Sequence, residues 1–502
     1  MNLFGNKNSG IKPVRGVVRT IRVQSEVQPT ALPSAQRPRH EPPQRSQQSQ
    51  ATPARVSPSS STASPAPSSD QHASSHLRPP KRKADQRVQS DSDDNEDGGD
   101  KNGIFGRPFD TNKYKRQKND HPVDSRRTLR RKEAFSEADG GGFKMIHAMD
   151  AVPINKDGCP KSSLKRFKVF LQYPGASQLE RFDLIPGKDK IDSIKEICEI
   201  AQIVRDVYLT ASQAKAFSST LRPLEAANNE IGTKGLGKET LQKFGIAVEN
   251  YNKAVRSLFK NGSLAKNLEN LHDLPYNMIE FILRQGYDRA VSPQVDLLQF
   301  YSAKDNTYGE LLCPFVSRVL GETGLKSDQV FVDLGSGVGS VVLQAALQFG
   351  CESWGCEIMP KACELADKQL AEFAARCRLW GLQTGKVHLE KGDFLENDVI
   401  KAALRKADVV LVNNKVFSSE TNEALRYLFL DLKDGCHIVS LQSFAVGNGR
   451  NENDLANLIQ NKITGVFFDK DISWTNGTGQ YFIATKDQGH LDKISAASKL
   501  RS

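Results

Sequence analysis

Read as a pattern of apolar and polar positions, the chain changes character twice. Residues 1–140 carry almost no apolar periodicity. From about Gly142 short patterned segments begin: 167–173 (FKVFLQY) and 179–185 read as strands around a Pro174-Gly175 turn. Helical spacing follows at 191–208, 238–259 and 276–288. Past residue 301 strands and helices alternate. Val330, Phe331, Val332 and Leu334 form the near-continuous apolar run of a parallel strand buried on both faces. Val341, Val342, Leu343 and Ala346 suit a helix packing back on it. Residues 353–358, 387–390, 408–412, 436–441, 466–468 and 480–485 supply six further strands. Helices fall at 360–379, started by a proline, and at 419–432. The expected fold class is α/β, a doubly wound, seven-stranded, mostly parallel sheet preceded by a mixed, largely helical lobe.

Composition divides the chain in the same places. Residues 1–140 hold 14 of the 23 prolines, with long Ser, Gln and Ala stretches, and cannot bury enough apolar surface to offset chain entropy. The expected organisation is a disordered basic tail at 1–141, a mainly helical lobe at 142–300, a catalytic domain at 301–490 and a short tail at 491–502. Residues 1–140 contain 25 Lys and Arg against 16 Asp and Glu, a net of +9 in a chain of net +10. Positive charge on a flexible arm argues for a polyanionic partner reached by that arm. Pro79-Pro80-Lys81-Arg82-Lys83 suits a nuclear import signal, and an acidic run at 90–100 separates it from a second basic zone at 113–132. In that zone Arg126, Arg127, Arg130 and Arg131 would share one cationic face if helical, for phosphate contacts without base readout. Eight scattered cysteines without CxxC or Cys/His spacing read as buried thiols, with no metal site and no disulfide framework. No run reaches the roughly 18 apolar residues of a membrane span, so a soluble, intracellular protein is expected.

The candidate chemistry lies where strands end. Asp333 closes the first strand, and Gly335, Gly337 and Gly339 follow on alternate positions. Such a turn brings a ligand against the main chain, and free amides at the helix start favour an anionic group. Glu357, 22 residues after Gly335, ends the second strand where a ribose diol would be held. Together they indicate a nucleoside cofactor. Its identity stays open at this point, although the third glycine comes one residue too early for the GxGxxG of NAD enzymes and no GK[ST] follows. Asp393 with Phe394 suits an adenine, as acceptor and stacking face, and Asn413 ends the next strand.

These residues resemble the disruptor of telomeric silencing family, histone lysine methyltransferases without a SET domain, of fungal type. The matching stretches are Thr307-Tyr308-Gly309-Glu310, DLGSGVG at 333–339, GCEI at 355–358, Gly392-Asp393-Phe394, Val412-Asn413-Asn414, and Ser473-Trp474-Thr475 with Tyr481. The resemblance implies a class I, Rossmann-like methyltransferase that moves methyl groups from S-adenosyl-L-methionine to a lysine in the globular core of histone H3 on nucleosomes. Glu357 would bind the ribose, Asp393 and Phe394 the adenine. Asp333, Leu334, Gly335, Gly337, Gly339 and the loop of Tyr308, Gly309 and Glu310 would hold the rest of the cofactor. Asn413 would lie beside the reacting methyl; Trp474 and Tyr481 would line a lysine channel, with Tyr308 near the chemistry.

The resemblance further implies a nuclear protein in contact with the histone H4 tail, ubiquitinated histone H2B, and nucleosomal DNA through the basic tail. It implies a monomer, with roles in chromatin silencing and the DNA damage response. One departure stands out: the family places an aromatic after the two asparagines, where this chain has Lys415, expected to point away from the channel. The alternatives are a nicotinamide oxidoreductase, a DNA methyltransferase, which lacks its Pro-Pro-aromatic or Pro-Cys motif here, and a non-catalytic chromatin tether.

Overall fold

Parallel strands need crossover connections, and the regular alternation after residue 309 supplies them. In the computed structural model, which describes residues 123–136, 142–151, 167–184, 191–301, 309–445, 458–474 and 477–490, seven strands form one sheet. They are β3 (Val330–Leu334), β4 (Glu352–Glu357), β5 (Val387–Lys391), β6 (Val409–Val412), β7 (His437–Ser440), β8 (Ile459–Phe467) and β9 (Gly479–Lys486), in the order β5-β4-β3-β6-β7-β9-β8. The first five are mutually parallel; β9 runs antiparallel to β7 and β8. All four residues of β6 are buried, as its VVLV sequence requires. The connecting helices are α7 (Ser340–Gln348), α8 (Pro360–Trp380), α9 (Asp398–Leu404) and α10 (Ser419–Leu428), with α6 (Cys313–Glu322) ahead of β3.

The preceding lobe is a hairpin, β1 (Lys168–Gln172) and β2 (Leu179–Asp183), followed by α1 (Ser193–Val207), α2 (Ala211–Lys234), α3 (Lys238–Lys260), α4 (Ser263–Glu269) and α5 (Tyr276–Ala290). The sequence pattern did not suggest α2, which carries Pro223 in its interior. Its start is nonetheless marked by a reciprocal cap between Thr210 and Gln213, and its buried face is Phe217, Leu221, Leu224, Asn228 and Ile231.

Lobe and sheet domain share one core. Trp380, at the end of α8, is fully buried among Tyr173, Tyr208 and Phe281 of the lobe, and its Nε1 donates to Gln285 Oε1 at 3.1 Å. Beneath it lies a buried ionic cluster. Glu180 of β2 accepts from Arg289 Nη2 of α5 at 2.8 Å, Arg376 Nη1 of α8 at 2.5 Å, the Tyr173 hydroxyl at 2.8 Å and the Ala148 amide at 3.0 Å. Glu196 accepts from Arg289 Nη2 at 2.6 Å, and Arg376 pairs with Glu372 at 2.8 Å. Burial alone would raise the Glu180 carboxyl, but Arg289 and Arg376 hold it well below the usual carboxylate range.

One expectation is overturned. Residues 123–136, placed by sequence in the tail, are packed on the fold and are not helical, so the four arginines share no cationic face. Arg126 forks onto Asp328 at 2.7 and 2.8 Å; Arg127 is buried against the carbonyls of Leu347 and Gln348; Arg130 pairs with Glu269 at 2.9 Å and Arg131 with Glu133 at 3.1 Å. Buried Leu129 draws the segment into the core, where its backbone needs partners: the Arg131 amide donates to Gly381 O, and Leu129 O accepts from Gln383 N. The import run and the acidic spacer lie outside the described residues.

Replacing Glu180 by Gln leaves two buried guanidinium groups short of a counter-charge, and chemical denaturation should show a loss of about 3–5 kcal/mol. Because the folded-state carboxyl is depressed, its contribution is present at neutral pH and lost as pH falls below about 4. The variant should therefore be less acid-sensitive than wild type over that range.

Candidate functional site

The carboxyl ends of β3, β4 and β6 and the turn after β5 open on a cleft of about 570 Å³. Its floor is the glycine turn. Gly335, Gly337 and Gly339 have φ of +84°, +56° and +85°, where a side chain would be strained. The turn is pinned to β4: the amides of Gly335 and Ser336 both donate to Cys356 O at 2.9 and 3.0 Å, and Gly337 N donates to Glu357 Oε2 at 2.8 Å. Gly355 makes this approach possible, since a Cβ there would lie 2.7 Å from Ser336 Oγ. The strand end thus takes the amides of Gly335, Ser336 and Gly337, whereas the amides that open α7, at Ser340, Val341 and Val342, are not among those it engages.

Acidic side chains outnumber basic ones around the cleft. Glu310, Asp333, Glu357 and Asp393 line the cleft, with Lys361 and Lys415 as the lining cations. Lys361 is occupied by Gln294 at 3.1 Å and Glu364 at 3.0 Å. Burial, with a smaller push from Glu357, raises the Asp333 carboxyl to about 8. Glu357 also accepts from Met359 N at 2.7 Å through Oε1, so each of its oxygens keeps a lone pair for a ligand hydroxyl. Asp393 closes its own turn by accepting from Leu395 N at 2.8 Å. Next to it Phe394 and Phe417, ring centroids 6.1 Å apart, build an apolar wall with Ile358, Met359 and Leu395.

Across the cleft two distant segments meet. Glu310 N donates to Ser473 Oγ at 2.8 Å and Ser473 N to Glu310 O at 3.0 Å, which lays the Trp474 indole over Gly309, where a Cβ would be 2.6 Å from the ring. Glu310 Oε1 accepts from the Tyr287 hydroxyl at 3.0 Å. Asn413 Nδ2 donates to Gly309 O at 3.3 Å, and its buried Oδ1 has no partner among the described residues. An uncompensated buried acceptor on a cleft wall is a place for a ligand donor. Neighbouring Asn414 is fully buried and uses its whole amide: it donates to Asn422 Oδ1 and Gln442 O and accepts from the amides of Leu441 and Gln442.

Of the residues singled out from sequence, Gly309, Glu310, Asp333, Gly335, Gly337, Glu357, Asp393, Phe394, Asn413 and Trp474 come together on this cleft. Leu334 does not, being fully buried in the core, and Gly339 caps α7 against Leu389 and Ala366. Tyr481 is corrected too. Its ring lies over Gly465, its partner in the β8–β9 register, and its hydroxyl donates to Glu322 at 2.9 Å on the side facing α6. Tyr308 lies outside the described residues. Lys415 is exposed at the rim, its carbonyl held by Gln442 Nε2 at 2.8 Å. Sequence reasoning missed Met359, Leu395 and Phe417; the first two directly follow strand-end motifs, which is the signal that could have found them.

Comparison with known proteins adds the following. Residues 287–486 match the family described as histone methylation protein DOT1. A protein of Gibberella zeae named histone-lysine N-methyltransferase, H3 lysine-79 specific, is 44% identical over 418 residues, which is 81% of this chain and 82% of the relative. One of the same name from Emericella nidulans is 43% identical over 74% of this chain and 75% of its own length. Among solved structures, an RNA methyltransferase from Salinibacter ruber in complex with S-adenosyl-L-homocysteine covers 35% of this chain and 92% of its own at 24% identity, with a TM-score of 0.24.

The raised Asp333 carboxyl makes a stability prediction for the protein without ligand. Its folded state holds the proton more tightly than the unfolded state, so stability is full below about 4 and is lost as pH rises toward 8. Asp333→Asn does not titrate; its thermal midpoint should be near wild type at pH 4 and increasingly above it by pH 8.

Proposed function

This chain belongs to the histone methylation protein DOT1 family, and on that premise we propose that its cleft binds S-adenosyl-L-methionine for transfer of the methyl group to lysine 79 of histone H3. The observation that carries the reading is electrostatic. Four acidic side chains line a cleft in which the turn amides of Gly335, Ser336 and Gly337 are already engaged, which suits a ligand with net positive charge.

When bound, S-adenosyl-L-methionine supplies an electrophilic methyl on a sulfonium. Glu357 is suited to hold the ribose diol through its remaining lone pairs, while Phe394, Ile358, Met359 and Phe417 offer the apolar wall an adenine needs. Asp333, Gly335 and Glu310 would take the methionine end. Across the cleft Asn413, Leu411 and Trp474 present uncharged side chains, and that is where the incoming amine belongs. A free lysine has a pKa near 10.4, so neutrality at pH 7 costs about 4.6 kcal/mol, which a desolvating neutral wall reduces. Asn413 Oδ1 can accept from that amine and aim its lone pair, so positioning is the main catalytic device.

The finer assignments follow from the family resemblance. The substrate is the assembled nucleosome, with contacts to the histone H4 tail and ubiquitinated histone H2B, and the protein acts in the nucleus. DNA contact falls to residues before Val123, such as Lys113, Lys115, Arg116 and Lys118, since the arginines at 126–131 are engaged in the fold.

Transfer of labelled methyl from S-adenosyl-L-methionine to nucleosomes, with the acceptor mapped by mass spectrometry, tests the reading. Label at H3 lysine 79 is expected, and absence of transfer to any histone would overturn it. Asn413→Ala should retain cofactor binding and lose about 100-fold in turnover; equal turnover would remove Asn413 from the mechanism. Because a bound cation favours the ionised Asp333, cofactor affinity should rise from pH 6 to 8 in calorimetry, and this dependence should vanish in Asp333→Asn.

A further inference from the structure

Residues 123–136 cross the fold on the side opposite the cleft. Asp124 receives the amide and hydroxyl of Ser327 at 3.1 and 2.6 Å, just ahead of β3, and Arg130 bridges to Leu382 beyond α8. Between them Arg127, 5% exposed, donates its two terminal nitrogens to the carbonyls of Leu347 and Gln348. These belong to the last turn of α7, whose closing carbonyls lack helical partners and favour a cation. Gly350 leaves room for the guanidinium, since a Cβ there would stand 3.0 Å from Arg127 Nε. His272 Nδ1 meets Arg127 O at 2.7 Å and holds the backbone in place.

The other end of α7 is the cofactor turn. Gly339 is its cap and Ser340 its first residue, with Ser340 on the cleft wall and held by Gln369 Nε2 at 3.2 Å. Nine residues separate the two ends by about 13 Å. Every residue of α7 from Val341 to Leu347 is buried, so the helix can shift only along its axis or by fraying at an end. We propose that Arg127 is a positioning residue for cofactor binding: it fixes α7 from its far end and so sets where residues 337–340 stand under the ligand. The inference rests on the reading of the cleft as an S-adenosyl-L-methionine site.

The test uses the full chain carrying Arg127→Met, Arg127→Lys or, as an exposed control on the same segment, Arg126→Ala. Cofactor affinity is measured by calorimetry well below the lowest unfolding midpoint, turnover on nucleosomes at saturating cofactor, and amide hydrogen exchange across α7. Arg127→Met should weaken cofactor binding about tenfold or more while turnover at saturation stays within about twofold, since Asn413 is carried by β6. Arg127→Lys should recover part of the affinity, and exchange over the first turn of α7 should be faster than wild type in both variants. Arg126→Ala should leave affinity unchanged.

If Arg127→Met merely lowers the unfolding midpoint and binds as wild type does, Arg127 is a structural staple and the proposal is overturned. Should that variant fail to fold, Arg127→Lys decides: unchanged affinity and exchange would overturn the proposal equally. Wild type that binds no S-adenosyl-L-methionine would overturn the functional reading, and this inference with it.

Discussion

The site depends on how the end of β4 grips the glycine turn. One carbonyl, Cys356 O, takes two successive amides, and the next side chain, Glu357, takes a third. The grip is possible because position 355 has no Cβ and positions 335, 337 and 339 accept positive φ. It fixes the start of α7, the mouth of the cleft and the orientation of the carboxylate proposed to meet the ribose. It also withdraws the amides of Gly335, Ser336 and Gly337 from any ligand.

A second constraint acts from below. Among the described residues the lobe adds Leu298 alone to the cleft lining, yet it is fused to the sheet domain by Trp380 and by the ionic cluster around Glu180. Buried ions are expensive to desolvate, and here each guanidinium meets more than one carboxylate, which is the arrangement that offsets the cost. The segment at 123–136 adds a belt that ties the start of β3, the ends of α7 and α8 and the hairpin turn, where Phe135 N donates to Gly175 O.

Much of this was legible in the chain and the rest was hidden for physical reasons. The run at Val330 and the alternating glycines locate the central strand and its turn, because apolar continuity and positive φ leave direct marks on residue choice. Asp333, Glu357, Asp393 and Asn413 were found because a doubly wound sheet gathers its strand ends. Tyr481 was misplaced because sequence does not reveal which face a β9 side chain takes, and the vacancy above Gly465 draws the ring toward α6. The arginines at 126–131 look like any solvated basic run, and only the tertiary contacts distinguish Arg127 from its neighbours. Helix α2 was masked by Pro223, whose penalty is outweighed by a well-spaced buried face.

The shared core around Trp380 has a bearing on what counts as the unit here. The family match begins at residue 287, inside α5, and so divides a helix whose Phe281 and Gln285 touch the indole and whose Arg289 holds Glu180. The stretch matched by the family model is therefore smaller than the shared core, which the alignments with whole relatives span more fully. A fragment cut at residue 287 would bare an aromatic surface and strand Arg376 without Glu180, so the border of the family match is not a place where this molecule can be divided.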